Sequence, residues 1–148
     1  MKWTECPVSS PCPGVLPLSR SSHGVSIIGD RLFMFGGEHE ARTPVGSEVW
    51  ALDLKTDGGM EWRALKAQGE PPSPRSVITY HNQSVHSQFI LPRFGHGQCA
   101  VGSDVYIFGG RQGTAIDEKL LNDVHKFDTR TCTWSRVPVS GGGYVVIK

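Results

Sequence analysis

Few residues of this sequence have the types and spacing that catalysis or metal binding requires. The first candidate is a short acidic stretch. Glu38, His39 and Glu40 place two carboxylates around an imidazole, and these donor types bind divalent metals. Neighbouring side chains on one strand point to opposite faces, so the three groups would not converge on one ion, and no further ligand is evident. The stretch indicates a solvated loop, and we expect no metal.

The remaining sequence offers no stronger catalytic arrangement. It has no Ser-His-Asp ordering of the kind that nucleophilic catalysis uses, no carboxylate pair in an apolar context and no glycine loop that would cradle a phosphate. His81 and His86 are five positions apart, which is not a recurrent metal-ligand spacing. We therefore expect no catalytic residue and no cofactor, and the sequence favours a protein that is not an enzyme.

Two polar loops are the better candidates, as places where a partner binds. They span residues 38–46 and 111–121, and each follows a pair of glycines. Loop residues that differ between related segments carry recognition more often than the residues that repeat. The candidate binding residues are Glu38, His39, Arg42, Arg111, Gln112 and Glu118.

These loops occupy the same place in two copies of one sequence pattern. An arginine, a histidine three residues later, a glycine pair and a tryptophan occur in the same order in both copies. Such self-similarity indicates a repeat architecture, and residues that are symmetric between repeats are predicted to be structural. The repeated residues are Arg20, His23, Gly36, Gly37 and Trp62 in the first copy, and Arg93, His96, Gly109, Gly110 and Trp134 in the second.

Each copy reads as four short strands because apolar residues alternate with polar or small ones. The predicted strands are residues 23–28, 31–35, 48–54 and 62–65, then 96–101, 104–108, 123–128 and 134–137. Gly29 and Gly102 predict tight turns with positive φ between the first two strands. The glycine pair is expected to end the second strand, and the tryptophan is expected to be the main apolar anchor of each copy. The arginine is expected to hold several carbonyl oxygens.

Taken together, these features resemble the kelch repeat, and the resemblance covers roughly residues 18–75 and 92–140. A kelch repeat implies one four-stranded antiparallel blade of a β-propeller. The predicted fold is therefore all-β: an incomplete kelch β-propeller of two such blades with partial flanking strands.

The predicted organisation has five parts. Propellers use about four to eight blades, so two blades leave open an incomplete ring, a ring shared between self-associating chains, or a truncated product. The parts are residues 1–19, the fourth strand of a preceding blade around Trp3 and a proline-rich linker; 20–70, blade 1; 71–91, an irregular insertion or degenerate repeat; 92–140, blade 2; and 141–148, a glycine-rich apolar tail.

Composition restricts the class of partner. The net charge is +1 with both signs evenly mixed, which argues against nucleic acid and anionic membrane as partners. No apolar run approaches the length of a membrane-spanning helix, and no secretory signal is visible. The four cysteines lack zinc-site or redox-pair spacing, and we expect them to be reduced in a cytoplasmic protein.

The leading functional expectation is a non-catalytic protein-interaction module whose protein partner is unknown. The alternative rests on a second resemblance, to the plant thiocyanate-forming, epithiospecifier and nitrile-specifier proteins. That resemblance implies a kelch propeller that uses ferrous iron to direct glucosinolate breakdown, with Arg111 as the arginine at the substrate mouth. The family's iron-binding Glu-x-x-x-Asp-x-x-x-His run is not found, since Leu121 stands where its aspartate would precede His125.

Overall fold

The computed structural model of the chain describes residues 2–12, 14–40, 43–54, 58–72, 95–112 and 119–139, with the backbone alone for residues 43 and 112. This part of the chain is all-β, and its strands form two five-stranded sheets and one short hairpin. None of it is a helix that could cross a membrane. The predicted fold class, an incomplete propeller of two blades, is confirmed.

The first sheet, blade 1, is a meander with one added edge strand. Its strands are β1 (Val8–Ser9), β2 (Gly24–Ile28), β3 (Arg31–Phe35), β6 (Val49–Leu54) and β7 (Met60–Leu65). The spatial order is β1-β7-β6-β3-β2, with antiparallel pairing from β2 to β7 and parallel pairing of β1 with β7. Two short strands, β4 (Glu38–Glu40) and β5 (Thr43–Pro44), form a separate hairpin between β3 and β6.

The second sheet, blade 2, repeats this topology. Its strands are β8 (Gln68–Gly69), β9 (Gly97–Val101), β10 (Asp104–Gln112), β11 (Lys119–Asp128) and β12 (Thr133–Val137). The order is β8-β12-β11-β10-β9, and β8 pairs parallel with β12 as β1 does with β7. The turns that open both blades also agree, because Gly29 and Gly102 have φ of 57° and 60°, as predicted for a tight hairpin.

Several predicted boundaries were wrong. The glycine pair does not end the second strand of blade 2, because β10 continues to Gln112 and β11 begins at Lys119 instead of residue 123. A register shift between Phe108 and Gly110 absorbs Gly109 as a bulge and lets the pairing resume. Residues 2–7 are not in a strand, and Trp3 is 94% exposed; the flanking strand lies at Val8–Ser9 instead.

Some of the predicted features lie wholly or mostly outside the described residues. Most of the 71–91 insertion, Arg93 and the tail at 141–148 are in this group. Their assignments stay predictions.

The core of the molecule lies between the two blades. Each strand alternates a side chain toward the other blade with one pointing away, so one face of each sheet is buried in this contact. Trp134, 3% exposed, packs edge-on against Phe35 with ring centroids 5.2 Å apart and tilts against Phe127 at 4.9 Å. The buried cluster comprises Phe33, Phe35, Val49 and Ala51 of blade 1 and Val105, Ile107, Phe127 and Trp134 of blade 2.

A polar contact joins the inner strands of the two blades beside this core. Gln98 Nε2 of β9 donates to the Phe33 carbonyl oxygen at 3.1 Å and to Ser26 Oγ at 3.3 Å. The Gln98 side chain lies directly on Gly24, where an added Cβ would come within 2.3 Å of Oε1. The Gln98 side chain thus fixes the position of one blade relative to the other.

The two repeat tryptophans differ, although the sequence predicted the same role for both. Trp62 pairs with Leu52 on the face of blade 1 that points away from blade 2, and it is only half-buried. Its aromatic neighbour is Trp50, with ring centroids 6.4 Å apart. Trp134 is an inter-blade anchor, whereas Trp62 contacts side chains of its own sheet.

We predict unequal losses on truncation. Trp134→Ala should lower the free energy of unfolding by about 3–5 kcal/mol, because it removes a fully buried indole from the core. Trp62→Ala should cost about 1–2 kcal/mol, because that indole is only partly buried and lies outside the contact between the blades. Urea unfolding monitored by far-UV circular dichroism measures both. Equal losses would contradict the assignment of Trp134 as the inter-blade anchor.

Candidate functional site: two hairpin arms at one end of the blades

The glycine pairs redirect the chain at the same point in both blades. Gly36 and Gly37 have φ of 67° and 95°, and Gly109 and Gly110 have nearly the same values, 60° and 97°. Only glycine adopts such consecutive left-handed conformations at low cost. Sterics add a second reason, since a Cβ on Gly37 would lie 2.6 Å from the Ser21 carbonyl oxygen.

Each glycine pair leads into a short two-stranded arm. Arm 1 is the β4–β5 hairpin, and arm 2 consists of residues 110–112 of β10 paired with 119–121 of β11. Both arms continue from the end of the second strand of their blade, and the two blades lie side by side with that end in common. A direct bond shows this, because Gly95 N at the start of blade 2 donates to the Ser22 carbonyl oxygen of blade 1 at 3.1 Å.

Arm 1 carries two of the predicted binding residues, and both have local contacts. Ser22 Oγ donates to Glu38 Oε1 at 3.1 Å, and paired backbone bonds join Glu38 to Ser21 at 2.9 Å each. His39 Nδ1 donates to the Ser19 carbonyl oxygen at 2.7 Å. These contacts hold arm 1 against the segment that opens blade 1. Arg42, the third predicted residue of this loop, lies outside the described part of the chain.

Arm 2 presents a cationic and apolar surface. Arg111 pairs with Leu120 and Gln112 with Lys119 across the two strands. Leu120 is 82% exposed, while Arg111 and Lys119 are also exposed. The sequence identified Arg111 but missed Leu120, whose position opposite Arg111 becomes evident only from the strand register. The side chain of Gln112 and all of Glu118 are outside the described structure.

The repeat arginine of blade 1 is a structural tie that holds two carbonyl oxygens. Arg20 Nε donates to the Leu18 carbonyl oxygen and Nη1 to the Gly36 carbonyl oxygen, each at 3.0 Å. Partial burial lowers the pKa of Arg20 from its ordinary value, and the nearby Glu48 carboxylate opposes that shift. The tie secures the first glycine of the pair and with it the base of arm 1.

The repeat histidines precede their strands and support the same end of the molecule. His96 packs edge-on against Phe35 with ring centroids 5.6 Å apart, so it extends the inter-blade core. The Cβ of His23 lies 2.9 Å from where a Cβ on Gly37 would be, so His23 closes over the glycine pair. These packing roles agree with the structural assignment of both residues.

One buried polar pair was missed by the sequence analysis. His125 is 3% exposed, and its Nε2 donates to Asp123 Oδ2 at 3.0 Å. A signal was present, because His125 alternates with the apolar Phe127 and therefore shares its buried face. The bond lies within one strand between residues two positions apart. It satisfies one ring nitrogen of His125.

The opposite end of the blades contains a cleft of about 520 Å³ that the sequence did not predict. It lies between the turn of Asp30 and the turn of Thr129 and Arg130. Arg31, one of its cations, is already paired with Asp53, and Arg63 binds that same carboxylate at 3.0 Å. The cleft therefore presents charges that neutralise one another. Within the described residues, no group of three His, Cys, Asp or Glu side chains could hold a metal ion.

Comparison with known proteins identifies the repeats. Residues 92–138 match the family model for the Kelch motif. Kelch domain-containing protein 3 from Bos taurus is 28% identical over 145 residues, which is 95% of this chain. The chain is a kelch-repeat protein.

The chain is also similar to proteins with very different names. Acyl-CoA-binding domain-containing protein 5 from Arabidopsis thaliana is 33% identical over 83% of the chain. The N-(sulfonatooxy)prop-2-enimidothioate sulfolyase from Thlaspi arvense is 29% identical over 82% of it. The chain spans 32% of the bovine relative, 15% of the Arabidopsis protein and 28% of the Thlaspi protein. The family thus establishes the fold, and the relatives' names do not transfer a single activity.

A solved structure supports the same kelch architecture. The structure of YjhT superposes with a TM-score of 0.54 and 19% sequence identity, over 82% of this chain and 28% of YjhT. At that identity the similarity shows the fold alone.

A matched pair of substitutions tests the role of the kelch glycine pair. Gly109→Ala and Gly102→Ala both place a Cβ on a residue with φ of 60°, which costs about 1–2 kcal/mol. Only at Gly109 would that Cβ meet a neighbour, the Leu121 carbonyl oxygen at 2.8 Å. Gly109→Ala should therefore destabilise more and lose amide protection in arm 2, as measured by hydrogen exchange. Equal losses would mean that the bulge does not depend on this close approach.

Proposed function

We propose that the chain is a protein-interaction module that binds a partner through arms 1 and 2 and performs no catalysis itself. The observation that carries the proposal is the surface of arm 2. Leu120 is 82% exposed next to two exposed cations, Arg111 and Lys119. Arginine is enriched in binding hot spots, and an exposed apolar side chain beside it gains free energy when a partner removes it from water. The buried core between the blades does not include these residues.

The contrast between scaffold and arms supports this function. The residues that repeat between blades make internal contacts, as the bonds of Arg20 and the packing of His96 illustrate. The arms do not repeat: arm 1 contains the acidic Glu38 and Glu40, and arm 2 contains the basic Arg111 and Lys119. A surface on which Glu40, Arg111 and Lys119 are exposed suits a partner with charges in complementary positions.

Capture experiments with matched controls test this proposal. The tagged chain and its variants Arg111→Glu and Leu120→Asp are used to capture proteins, which are identified by mass spectrometry. Arg136→Glu and Val139→Asp make the same chemical changes at exposed positions outside the arms. We expect at least a tenfold loss of the specific partner with each arm variant, about 1.4 kcal/mol, and little change with the controls.

Retention of the partner by both arm variants would contradict binding through arm 2. Loss with all four variants would equally contradict it, because such a loss would follow from charge or solubility alone. Circular dichroism of each variant keeps unfolding separate from loss of binding.

A second candidate function is supported by the Thlaspi arvense relative, whose name is that of a sulfolyase. Arg111, which the resemblance to specifier proteins assigns to a substrate mouth, is exposed on arm 2. The sequence lacks the iron-ligand run expected for that family, so the interaction function is the better supported of the two.

Product analysis distinguishes the two functions. The chain is added to a glucosinolate and its hydrolase with ferrous iron, and the products are separated by gas chromatography. The interaction function predicts the same product distribution with and without the chain. A shift toward nitrile or thiocyanate that disappears in Arg111→Ala, and not in Arg136→Ala, would instead establish the specifier function.

A further inference from the structure

Two glycines at the same repeat position, Gly24 in β2 and Gly97 in β9, have different surroundings. Neither has a positive φ, so backbone conformation does not require glycine at either position. At position 24 the neighbouring blade leaves room only for glycine, because a Cβ there would lie 2.3 Å from Gln98 Oε1 and 2.5 Å from His96 Nε2. Among described atoms, a Cβ on Gly97 would meet only the Phe108 carbonyl oxygen, at 3.9 Å. Among the described residues, none places a side chain over Gly97, whereas Gly24 receives the side chain of Gln98.

The outward face of blade 1 presents a side chain, that of Val25, which could fill the corresponding space above Gly97. Val25 follows Gly24 as Gln98 follows Gly97, so Val25 is the repeat counterpart of the residue that docks on Gly24. Val25 and Ile27 are 42% and 59% exposed, whereas Ser26 between them is buried against blade 2. Blade 1 thus exposes an apolar inner strand on the face that points away from blade 2.

We propose that a second copy of this chain docks the Val25 face of its blade 1 on the Gly97 face of blade 2, repeating between chains the contact that joins the blades within one chain. In this contact Val25 of the second copy occupies the space above Gly97. Cys99, which corresponds to Ser26, lies beside it.

The aromatic residues of the two faces also correspond to an existing contact. Phe108 is the repeat counterpart of Phe35, and Trp62 is the counterpart of Trp134. Within the chain, Phe35 and Trp134 pack edge-on at 5.2 Å. Between chains, Phe108 of one copy would pack against Trp62 of the next. Both residues are only half-buried in one copy, so the contact would remove further apolar surface from water.

The association is head-to-tail, because the two surfaces differ. A head-to-tail contact closes into a ring when its rotation permits. The described residues form two blades. Since propellers close at about four to eight blades, units of two such blades joined head-to-tail would close as rings of two to four copies. The Gly97 face also carries Lys126, which pairs with Asp104 at 3.4 Å, at the place that Ala51 occupies in blade 1. Burying this pair costs free energy, so the contact between chains is weaker than the internal one.

Sedimentation velocity and equilibrium of the 148-residue chain from about 1 to 200 μM test the proposal. We expect a discrete species of two to four copies that dissociates on dilution. Gly97→Ala should raise its dissociation constant at least tenfold, because the added Cβ fills the space for Val25, while thermal stability of the dilute monomer stays the same or rises. Gly24→Ala, the matched control, should lower the stability of the monomer, because its Cβ meets Gln98 inside the chain.

A chain that is monomeric at 200 μM would overturn the proposal. So would an oligomer that Gly97→Ala leaves intact. Capture of the partner through arm 2 is measured separately, and Gly97→Ala should leave it unchanged, so failure of the self-association does not affect the test of the interaction function.

Crosslinking tests the register of the contact independently of Gly97. Cys6, Cys12 and Cys132 are first replaced by Ser, which leaves the exposed Cys99 as the one thiol. Val25→Cys in this background should form a covalent dimer or ring with a short bismaleimide. Leu120→Cys, on arm 2, should not, because arm 2 is outside the proposed contact. Crosslinking that is equal for the two variants would contradict the proposed register.

Discussion

The contact of the Trp134 indole with Phe35 is the interaction on which the rest of the structure depends. A four-stranded blade has two broad faces and cannot bury either one by itself, so the apolar residues of one blade require a neighbouring blade. Trp134 supplies the largest apolar surface at this contact, and the Gln98 side chain, bonded to blade 1 beside it, sets the register. The positions of the arms follow, since both arise from strands that this contact aligns.

The division between scaffold and arms has a physical origin in the glycine pairs. Gly36 and Gly37 turn the chain out of blade 1 through nearly the same angles that Gly109 and Gly110 use in blade 2. After these shared turns the sequences diverge: the described residues of arm 1 include Glu38 and Glu40, and those of arm 2 include Arg111, Lys119 and an exposed Leu120. The glycine pair preserves the packing of each blade while the segment beyond it varies. A kelch blade can therefore keep its fold and change what it binds.

The sequence predicted what is local and repeated. Alternation located the strands, Gly29 and Gly102 located the turns, and Arg20 was correctly assigned to hold carbonyl oxygens. It did not predict contacts that depend on the partner face. Trp62 and Trp134 look alike in sequence and differ in burial because only one of them has a neighbouring blade within the described chain. The same limit applied to the candidate site. Leu120 was missed because its importance depends on strand register beyond a bulge, whereas the type of Arg111 could be read directly.

A double-mutant cycle of Phe35→Leu and Trp134→Leu tests the central claim most directly, because it measures how strongly the two blades are coupled. The free energies of unfolding of the wild type, both single variants and the double variant are determined in urea. Packing of these rings across the blade interface predicts a coupling of about 0.5–1.5 kcal/mol beyond the separate losses. Strictly additive losses would contradict the account, since the two blades would then be stable without the contact that positions both arms.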